Sequence, residues 1–202
     1  MMPSRAYERF AGACALLVAA VGVLYSLTFV IVVADEPKWA QVANAVFLLS
    51  GGLLALAVLI AVYGRLRDSE PAFALLALAL GLASGLGAAI HGAQEFALEV
   101  RKENAIDTGL SAVDPRGFLT FAVSGLAFLL VGWLVRRGGF FPRRLGDLSL
   151  VAGFLLLLVY LGRLVIFDPD NAVLLVVAAV TGFVVNPALY AWLGVVLRRG
   201  TA

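Results

Sequence analysis

The sequence predicts an all-α polytopic membrane protein with six transmembrane helices and both termini in the cytoplasm. Hydrophobic residues make up 62% of the 202 residues, and charged residues only 14%. The mean hydropathy of +1.01 lies well above that of a soluble domain of this length. A bilayer core about 30 Å thick requires about 20 apolar residues in a helix. Six segments reach or approach that length, at residues 10–34, 39–63, 73–97, 118–135, 148–167 and 172–197.

Only short polar links separate these segments, so we expect one membrane domain over residues 1–202. Arg5 and Arg9 precede the first segment as in a signal peptide, but its apolar run of about 25 residues is too long for one. The run ends at Asp35-Glu36-Pro37 without a small-residue cleavage pattern, which favours a retained helix. Its few hydrogen-bonding groups include Tyr25 and Thr28, so we expect this helix to act as scaffold.

Basic residues collect at one end of the predicted bundle, which we call the basic end; the other is the acidic end. The basic end holds both termini, with ten of the 15 basic and four of the 13 acidic residues. Its basic residues are Arg5, Arg9, Arg65, Arg67, Arg136, Arg137, Arg143, Arg144, Arg198 and Arg199. Cytoplasmic loops are rich in Lys and Arg, so both termini are predicted to be cytoplasmic. Anionic lipid headgroups explain this charge without a nucleic-acid partner.

The second helix carries amides and small residues at defined depths. Gln41 and Asn44 lie within its first two turns, at the acidic end. Further along, Ser50-Gly51-Gly52 predicts a close helix crossing, since small residues let two backbones approach. The longest connection follows the third helix, over residues 101–116, and is predicted to be a solvated connector.

The last two helices contain three polar positions of interest. Tyr160 and Arg163 lie one turn apart near the acidic end of the fifth helix. Arg163 is expected to extend to the interface or to turn inward towards Glu95 or Glu99. In the sixth helix, Asn186-Pro187 predicts a kink, because proline removes a backbone donor.

The third helix is the most informative stretch of the chain. At about 100° per residue, its large apolar side chains fall on one half of the helix. Its small and polar residues fall on the other half: Gly81, Ser84, Gly85, Gly87, Ala88, His91, Gly92, Gln94, Glu95 and Glu99. Ionisable side chains in a membrane normally face other helices or water, so this half should face the bundle interior.

The sequence contains little support for a catalytic site or a metal-binding site. Ala122-Val123-Ser124-Gly125 lacks the Gly-x-Ser-Gly motif of rhomboid-type intramembrane proteases, and the sixth helix has no histidine to act as base. His91 and Glu95 supply two metal ligands, whereas zinc sites use three or four. We therefore predict no enzyme activity and no metal. A haem or chlorin held by His91 is a minor possibility, because one axial histidine suffices.

The polar residues of several helices belong at one depth in the acidic half. They predict an outward-facing pocket for a small ligand, an ion or a lipid headgroup, in a binding, sensing or accessory protein. Its predicted residues are His91, Glu95, Gln94, Glu99, Gln41, Asn44, Tyr160 and Arg163. The alternatives are a structural polar pair of His91 and Glu95, a structural subunit that docks a membrane protein or a second copy, and a proton-coupled transporter.

Three short motifs accompany the helix pattern. They are Gly87-Ala88-Ala89-Ile90-His91-Gly92, Asp114-Pro115-Arg116-Gly117 and Val185-Asn186-Pro187. With these motifs, most of the chain resembles small six-helix bacterial membrane proteins of the domain-of-unknown-function type. The resemblance implies a six-helix fold in a bacterial inner membrane and no particular activity. Membrane lipids are the partners expected of any such protein.

Overall fold

The computed structural model describes residues 4–35, 37–100, 114–166 and 171–199, and these residues contain no strand. Six helical spans in them are long and apolar enough to cross a membrane, which confirms the predicted all-helical membrane protein. The uninterrupted helices are α1 (Arg5–Asp35), α2 (Lys38–Leu66), α3 (Pro71–Val100) and α5 (Arg143–Val165).

The fourth and sixth spans are each built from more than one helical type. The fourth contains a 3₁₀ turn (Pro115–Gly117), a π-helical turn (Phe118–Val123) and α4 (Ser124–Gly138). The sixth contains α6 (Ala172–Ala179), a second π-helical turn (Val180–Val185) and α7 (Asn186–Arg199). The second π-helical turn ends just before Asn186-Pro187, where the missing proline N–H disturbs the regular α-helical hydrogen bonds.

The helices extend beyond the apolar segments that predicted them. The fifth segment was expected from residue 148, but α5 begins at Arg143, directly after Pro142. The link between the fourth and fifth predicted segments, residues 136–147, therefore shrinks to residues 139–142, with Gly139 in the left-handed conformation at the end of α4. Hydropathy marks the edge of the bilayer core, whereas helical hydrogen bonds continue through charged residues such as Arg.

The six spans form a closed ring in sequence order. Each span packs against the next, and α7 of the sixth span returns to pack along α1. The most extensive helix pairs are α2 with α3, α1 with α2, α1 with α7, and α4 with α5. By contrast, α6 has no buried residue. The helices therefore pack more loosely at the acidic end of the sixth span than elsewhere in the ring.

Glycine sets the closest approaches between helices. A Cβ on Gly52 would lie 2.5 Å from the Gly85 carbonyl oxygen and 2.8 Å from the Ala89 amide nitrogen. The close crossing predicted at Ser50-Gly51-Gly52 is thus found, and the structure shows that its partner is the small face of α3. Similar glycine contacts join α1 to α7 and α4 to α5, through Gly12 with Gly194, Gly125 with Gly153, and Gly132 with Gly146. Such small residues are how membrane helices pack without a hydrophobic driving force between them.

Large side chains fill the basic-end half of the bundle. Five leucines there are less than 2% exposed: Leu66, Leu134, Leu145, Leu189 and Leu197. They come from the second, fourth, fifth and sixth spans and belong to one continuous apolar cluster. This half is therefore a closed core, and open space is left towards the middle and the acidic end.

A buried ion pair joins α1 to α2 at the basic end. Arg65 is 3% exposed, and its Nε and Nη2 donate to the two carboxylate oxygens of Glu8 at 2.7 and 3.1 Å. The guanidinium also lies 5.2 Å from the ring centre of Phe141, in the connection between α4 and α5. A bidentate pair of this kind fixes both distance and orientation.

Replacing Gly52 with Ala is expected to destabilise the protein by about 1–3 kcal/mol, because the added methyl group overlaps the backbone of α3. The neighbouring Gly51→Ala is the matched control, since its Cβ would meet only Val21 Cγ1, at 3.5 Å. That change should leave stability equal or raise it by up to about 1 kcal/mol. Circular dichroism during unfolding in SDS measures both. Equal effects of the two variants would contradict close packing at Gly52.

Replacing Glu8 with Gln should cost about 3–5 kcal/mol, because it leaves the buried Arg65 charge without its counter-ion. Glu70→Gln is the control: Glu70 forms an exposed pair with Arg137 at 3.7 Å, worth about 0–1 kcal/mol. Both are measured by equilibrium unfolding in detergent micelles. A Glu8→Gln variant as stable as Glu70→Gln would show that Arg65 reaches solvent or another acid.

Candidate functional site

The polar face of α3 places His91 and Glu95 on successive turns. Their four-residue spacing brings the side chains together on one side of the helix. His91 Nε2 lies 3.1 Å from Glu95 Oε1, and the two side chains are 16% and 20% exposed. The opposite half of the helix carries the exposed Leu75, Leu86 and Ile90, as the periodicity predicts.

A sharp turn before the fourth span brings a third ionisable group to this pair. Asp114 begins the turn, and its carbonyl accepts a hydrogen bond from the Gly117 amide at 2.9 Å. Arg116 and Gly117 both have positive φ, at 54° and 79°, a conformation that glycine adopts without strain. The turn is further held by Arg116 Nη1, which donates to the Arg163 carbonyl at 2.6 Å.

The Asp114 carboxylate satisfies the first amides of the fourth span. It accepts from the Leu119 amide at 2.7 Å, the Thr120 amide at 3.1 Å and the Thr120 hydroxyl at 2.6 Å. The first amides of a helix have no partner within it, and negative charge is favourable at this end of the helix dipole. Asp114 is 1% exposed. The prediction that residues 101–116 form a solvated connector is therefore wrong at Asp114, while residues 101–113 lie outside the described residues.

Asp114 also faces the imidazole of His91. Its Oδ2 lies 3.7 Å from His91 Nδ1, a distance for a charge contact and too long for a hydrogen bond. His91 Nδ1 is buried and has no hydrogen-bond partner among the described residues. We call His91, Glu95 and Asp114 the polar site. It links α3 to the start of the fourth span.

The electrostatics of Asp114 follow from its surroundings. Burial raises the pKa of its carboxyl group, but His91, the Thr120 hydroxyl and the amides of Leu119 and Thr120 outweigh burial. Together they lower the pKa from 3.8 to about 2. Asp114 is therefore ionised at neutral pH although it is almost completely buried.

A second group of polar side chains joins α1 to α2 at similar depth. The buried Thr28 hydroxyl donates to Asn44 Oδ1 at 3.0 Å. Tyr25 lies close enough to Asn44, Glu95 and Asp114 to interact with them electrostatically. The expectation that the first helix is only scaffold is therefore too simple, because it contributes Tyr25 and Thr28 to this polar region.

Two of the other predicted residues contact aromatic rings of the fourth span. Tyr160 packs edge-on against Phe118, with ring centres 5.8 Å apart, and the Arg163 guanidinium lies 5.4 Å from the ring centre of Phe121. Arg163 forms no ion pair within 4.0 Å with a described acid. The inward contact expected with Glu95 or Glu99 is thus not found. Half-buried Glu99 has no hydrogen bond or ion pair within the described ranges, while Gln41 and Gln94, also half-buried, both have partners.

A cavity of about 150 Å³ lies inside the ring, between α1, α2, α3, the fourth span and α7. None of the eight predicted residues lines it. Tyr25, Ala88 and Thr120 line its acidic-end side, whereas Val18 and Phe128 lie towards the basic end. The cavity therefore begins one helical turn from His91, on the side of the basic end, and extends into the middle of the membrane.

Hydroxyl groups connect the polar site to this cavity. Thr120 donates to Asp114 and also lines the cavity. One turn further, Ser84 Oγ donates to Ser124 Oγ at 2.9 Å, and both serines line the same cavity. The cavity wall thus has a polar strip on α3 and the fourth span, in an otherwise mainly apolar lining.

The side chains of the polar site do not form the ligand set that a metal ion or a tetrapyrrole requires. No group of three or more His, Cys, Asp or Glu side chains in the described parts of the chain is arranged to hold a metal ion. A haem iron would need one free ring nitrogen of His91, but Nε2 faces Glu95 and Nδ1 faces Asp114. These contacts do not fit axial ligation.

Sequence reasoning missed Asp114 and Thr120 as parts of the site. A signal for Asp114 was present, since an acidic residue followed by proline before an apolar segment is typical of a helix start. Antiparallel packing of the third and fourth spans then brings that start to the level of His91. Thr120 gave no such signal, because a lone hydroxyl in a membrane helix usually bonds to its own backbone.

No protein-family model matches the chain, and no curated protein or solved structure matches it either. The resemblance to small six-helix membrane proteins is therefore supported at the level of six long apolar helices. The site must be interpreted from its own chemistry.

Replacing Asp114 with Asn should destabilise the protein by about 1–3 kcal/mol at pH 7, because an amide cannot accept all three hydrogen bonds. The folded-state pKa is below the ordinary 3.8, so the ionised carboxylate stabilises the fold above that value. This stabilisation, roughly 2 kcal/mol, is lost as the pH falls from about 4 to about 2. Unfolding free energies of wild type and variant should therefore converge on acidification.

Asp68→Asn is the control for this pH series, since Asp68 lies at the basic end with a half-exposed side chain. Its unfolding free energy should follow that of the wild type at every pH. A difference between wild type and Asp114→Asn that stays constant down to pH of about 2 would contradict the assignment of Asp114.

Proposed function

We propose that this protein is a non-enzymatic membrane protein that binds a small cationic ligand, an organic ammonium group, at the polar site. The observation that carries the proposal is the pair of carboxylates around His91, with Glu95 at 3.1 Å and Asp114 at 3.7 Å. Glu95 is partly exposed and Asp114 is not. Glu95 is therefore the group that contacts the ligand, and Asp114 positions the imidazole.

The chemistry of an ammonium group suits this arrangement. A primary ammonium has three donors and no acceptor, and Glu95 has a second carboxylate oxygen besides the one that faces His91. Charge-assisted hydrogen bonds of this type contribute about 1.5–3 kcal/mol. A free amine and the headgroup of an aminophospholipid share this chemistry, so lipid composition is a variable in the test.

The location of the protein forms part of the same proposal. The membrane is a bacterial inner membrane, both termini are cytoplasmic, and the polar site lies in the outward-facing half. Ten of the 15 basic residues belong to the basic end, and this bias supports the orientation. The apolar core of the basic-end half, built around residues such as Leu134 and Leu145, favours a binding protein over a proton-coupled transporter, because it offers no polar route onward.

Thermal unfolding in detergent with increasing propylamine, at constant ionic strength, tests this function. The melting temperature of the wild type should rise with concentration, because a ligand that binds only the folded state stabilises it by mass action. Propionate should have no such effect. Glu95→Gln should lower the affinity for propylamine by about tenfold or more, and Asp68→Asn should leave it unchanged.

Two further measurements distinguish a free amine from a lipid headgroup, and a binding site from a purely structural one. Nanodiscs with and without an aminophospholipid show whether a headgroup competes with propylamine for the site. If propylamine has no effect on the wild type, and both Glu95→Gln and His91→Ala simply lower stability, the polar site is a structural link between α3 and the fourth span. That result would overturn the proposed function.

A further inference from the structure

The cavity and the polar site lie next to each other along the bundle axis. Tyr25 and Thr120 line the cavity. Thr120 also donates to Asp114 of the polar site, and Tyr25 interacts electrostatically with Glu95 and Asp114. Ala88, on the acidic-end side of the cavity, is three residues from His91, a rise of about 4.5 Å along α3. The cavity and the polar site are therefore about one helical turn apart along α3.

The two ends of the cavity differ in chemistry. Towards the acidic end its lining includes Tyr25 and Thr120, which carry hydroxyl groups, and towards the basic end it includes Val18, Leu59 and Phe128. Cavities with apolar walls stay dry and take apolar guests; a volume of about 150 Å³ holds a benzene ring. The volume of this cavity, about 150 Å³, matches one aromatic ring or a short branched chain.

We propose that the ligand of this protein is an amphipathic amine, whose ammonium group binds Glu95 and whose apolar body of about one ring fills the cavity between α1, α2, α3 and the fourth span. This inference rests on the proposed function and adds the part of the ligand that enters the membrane. Because helical side chains point towards the helix N-terminus, the Glu95 carboxylate lies back towards His91. A linker of about three carbons, close to 5 Å, then joins the ring to the ammonium.

Glycine positions in the lining allow the cavity to be filled selectively. A Cβ on Gly51 meets only Val21 Cγ1, at 3.5 Å, and both residues line the cavity. Gly22, also in the lining, has no atom within 4 Å of its Cβ position. Both positions therefore have room for a Cβ, so Gly51→Leu is expected to place its side chain in the cavity, and Gly22→Leu is a second, independent variant.

The experiment measures binding of 3-phenylpropylamine to the full chain in nanodiscs by calorimetry. Propylamine lacks the ring, propylbenzene lacks the charge, and 3-phenylpropionate reverses the charge. Wild type should bind 3-phenylpropylamine about tenfold or more tightly than propylamine or propylbenzene, and the carboxylate should not bind. In Gly51→Leu the affinity for 3-phenylpropylamine should fall to the level of the affinity for propylamine. The affinity for propylamine itself should be the same as in the wild type.

Ala83→Leu is the matched control, because Ala83 is exposed on the lipid-facing half of α3. It should bind 3-phenylpropylamine like the wild type. Equal losses in Ala83→Leu and Gly51→Leu, or a ring that adds no affinity, would overturn the cavity inference. The proposed function would still stand if propylamine bound in a Glu95-dependent way, and both would fall if neither amine bound.

Gel filtration and melting curves establish that each variant is folded before binding is measured. If Gly51→Leu does not fold, Gly22→Leu provides the same comparison. A Gly22→Leu variant that is folded and still binds 3-phenylpropylamine like the wild type would also overturn the inference.

Discussion

The first amides of a membrane helix have no water to bond with, and the fourth span depends on one carboxylate to satisfy them. Asp114 accepts from two backbone amides and one hydroxyl at the start of this span. An unsatisfied polar group in hydrocarbon costs several kcal/mol, so these bonds determine where the span can begin. The same carboxylate faces His91 on α3. The helix start and the polar site are therefore one structure.

Small residues decide where the bundle is closed and where it is open. Gly52 and Gly85 bring α2 against α3 so closely that an added methyl group would overlap backbone atoms. In the basic-end half, leucines fill the space between the helices. In the middle, a Cβ on Gly22 would have no neighbour within 4 Å and a Cβ on Gly51 would meet only Val21, and both glycines line the cavity. The cavity begins one helical turn from His91, so the packing of these small residues determines the space next to the polar site.

Local sequence patterns predicted the parts of the structure that depend on one helix. Six apolar segments gave six spans because a bilayer imposes a minimum length on each. The four-residue spacing of His91 and Glu95 predicted their contact, since residues four apart share a helix face. The predicted partners on other helices were less accurate: Arg163 lies on the ring of Phe121 and does not meet Glu95.

The sequence by itself determined the membrane class, the number of spans, the small face of α3 and the pairing of His91 with Glu95. Each of these follows from hydropathy or helical periodicity over neighbouring residues. Only the tertiary structure decided that Asp114 completes the polar site and that a cavity lies beneath it. Asp114 and His91 are joined by a turn and by helix packing, and the cavity is bounded by five spans. Their positions therefore depend on how whole helices meet, which no local pattern specifies.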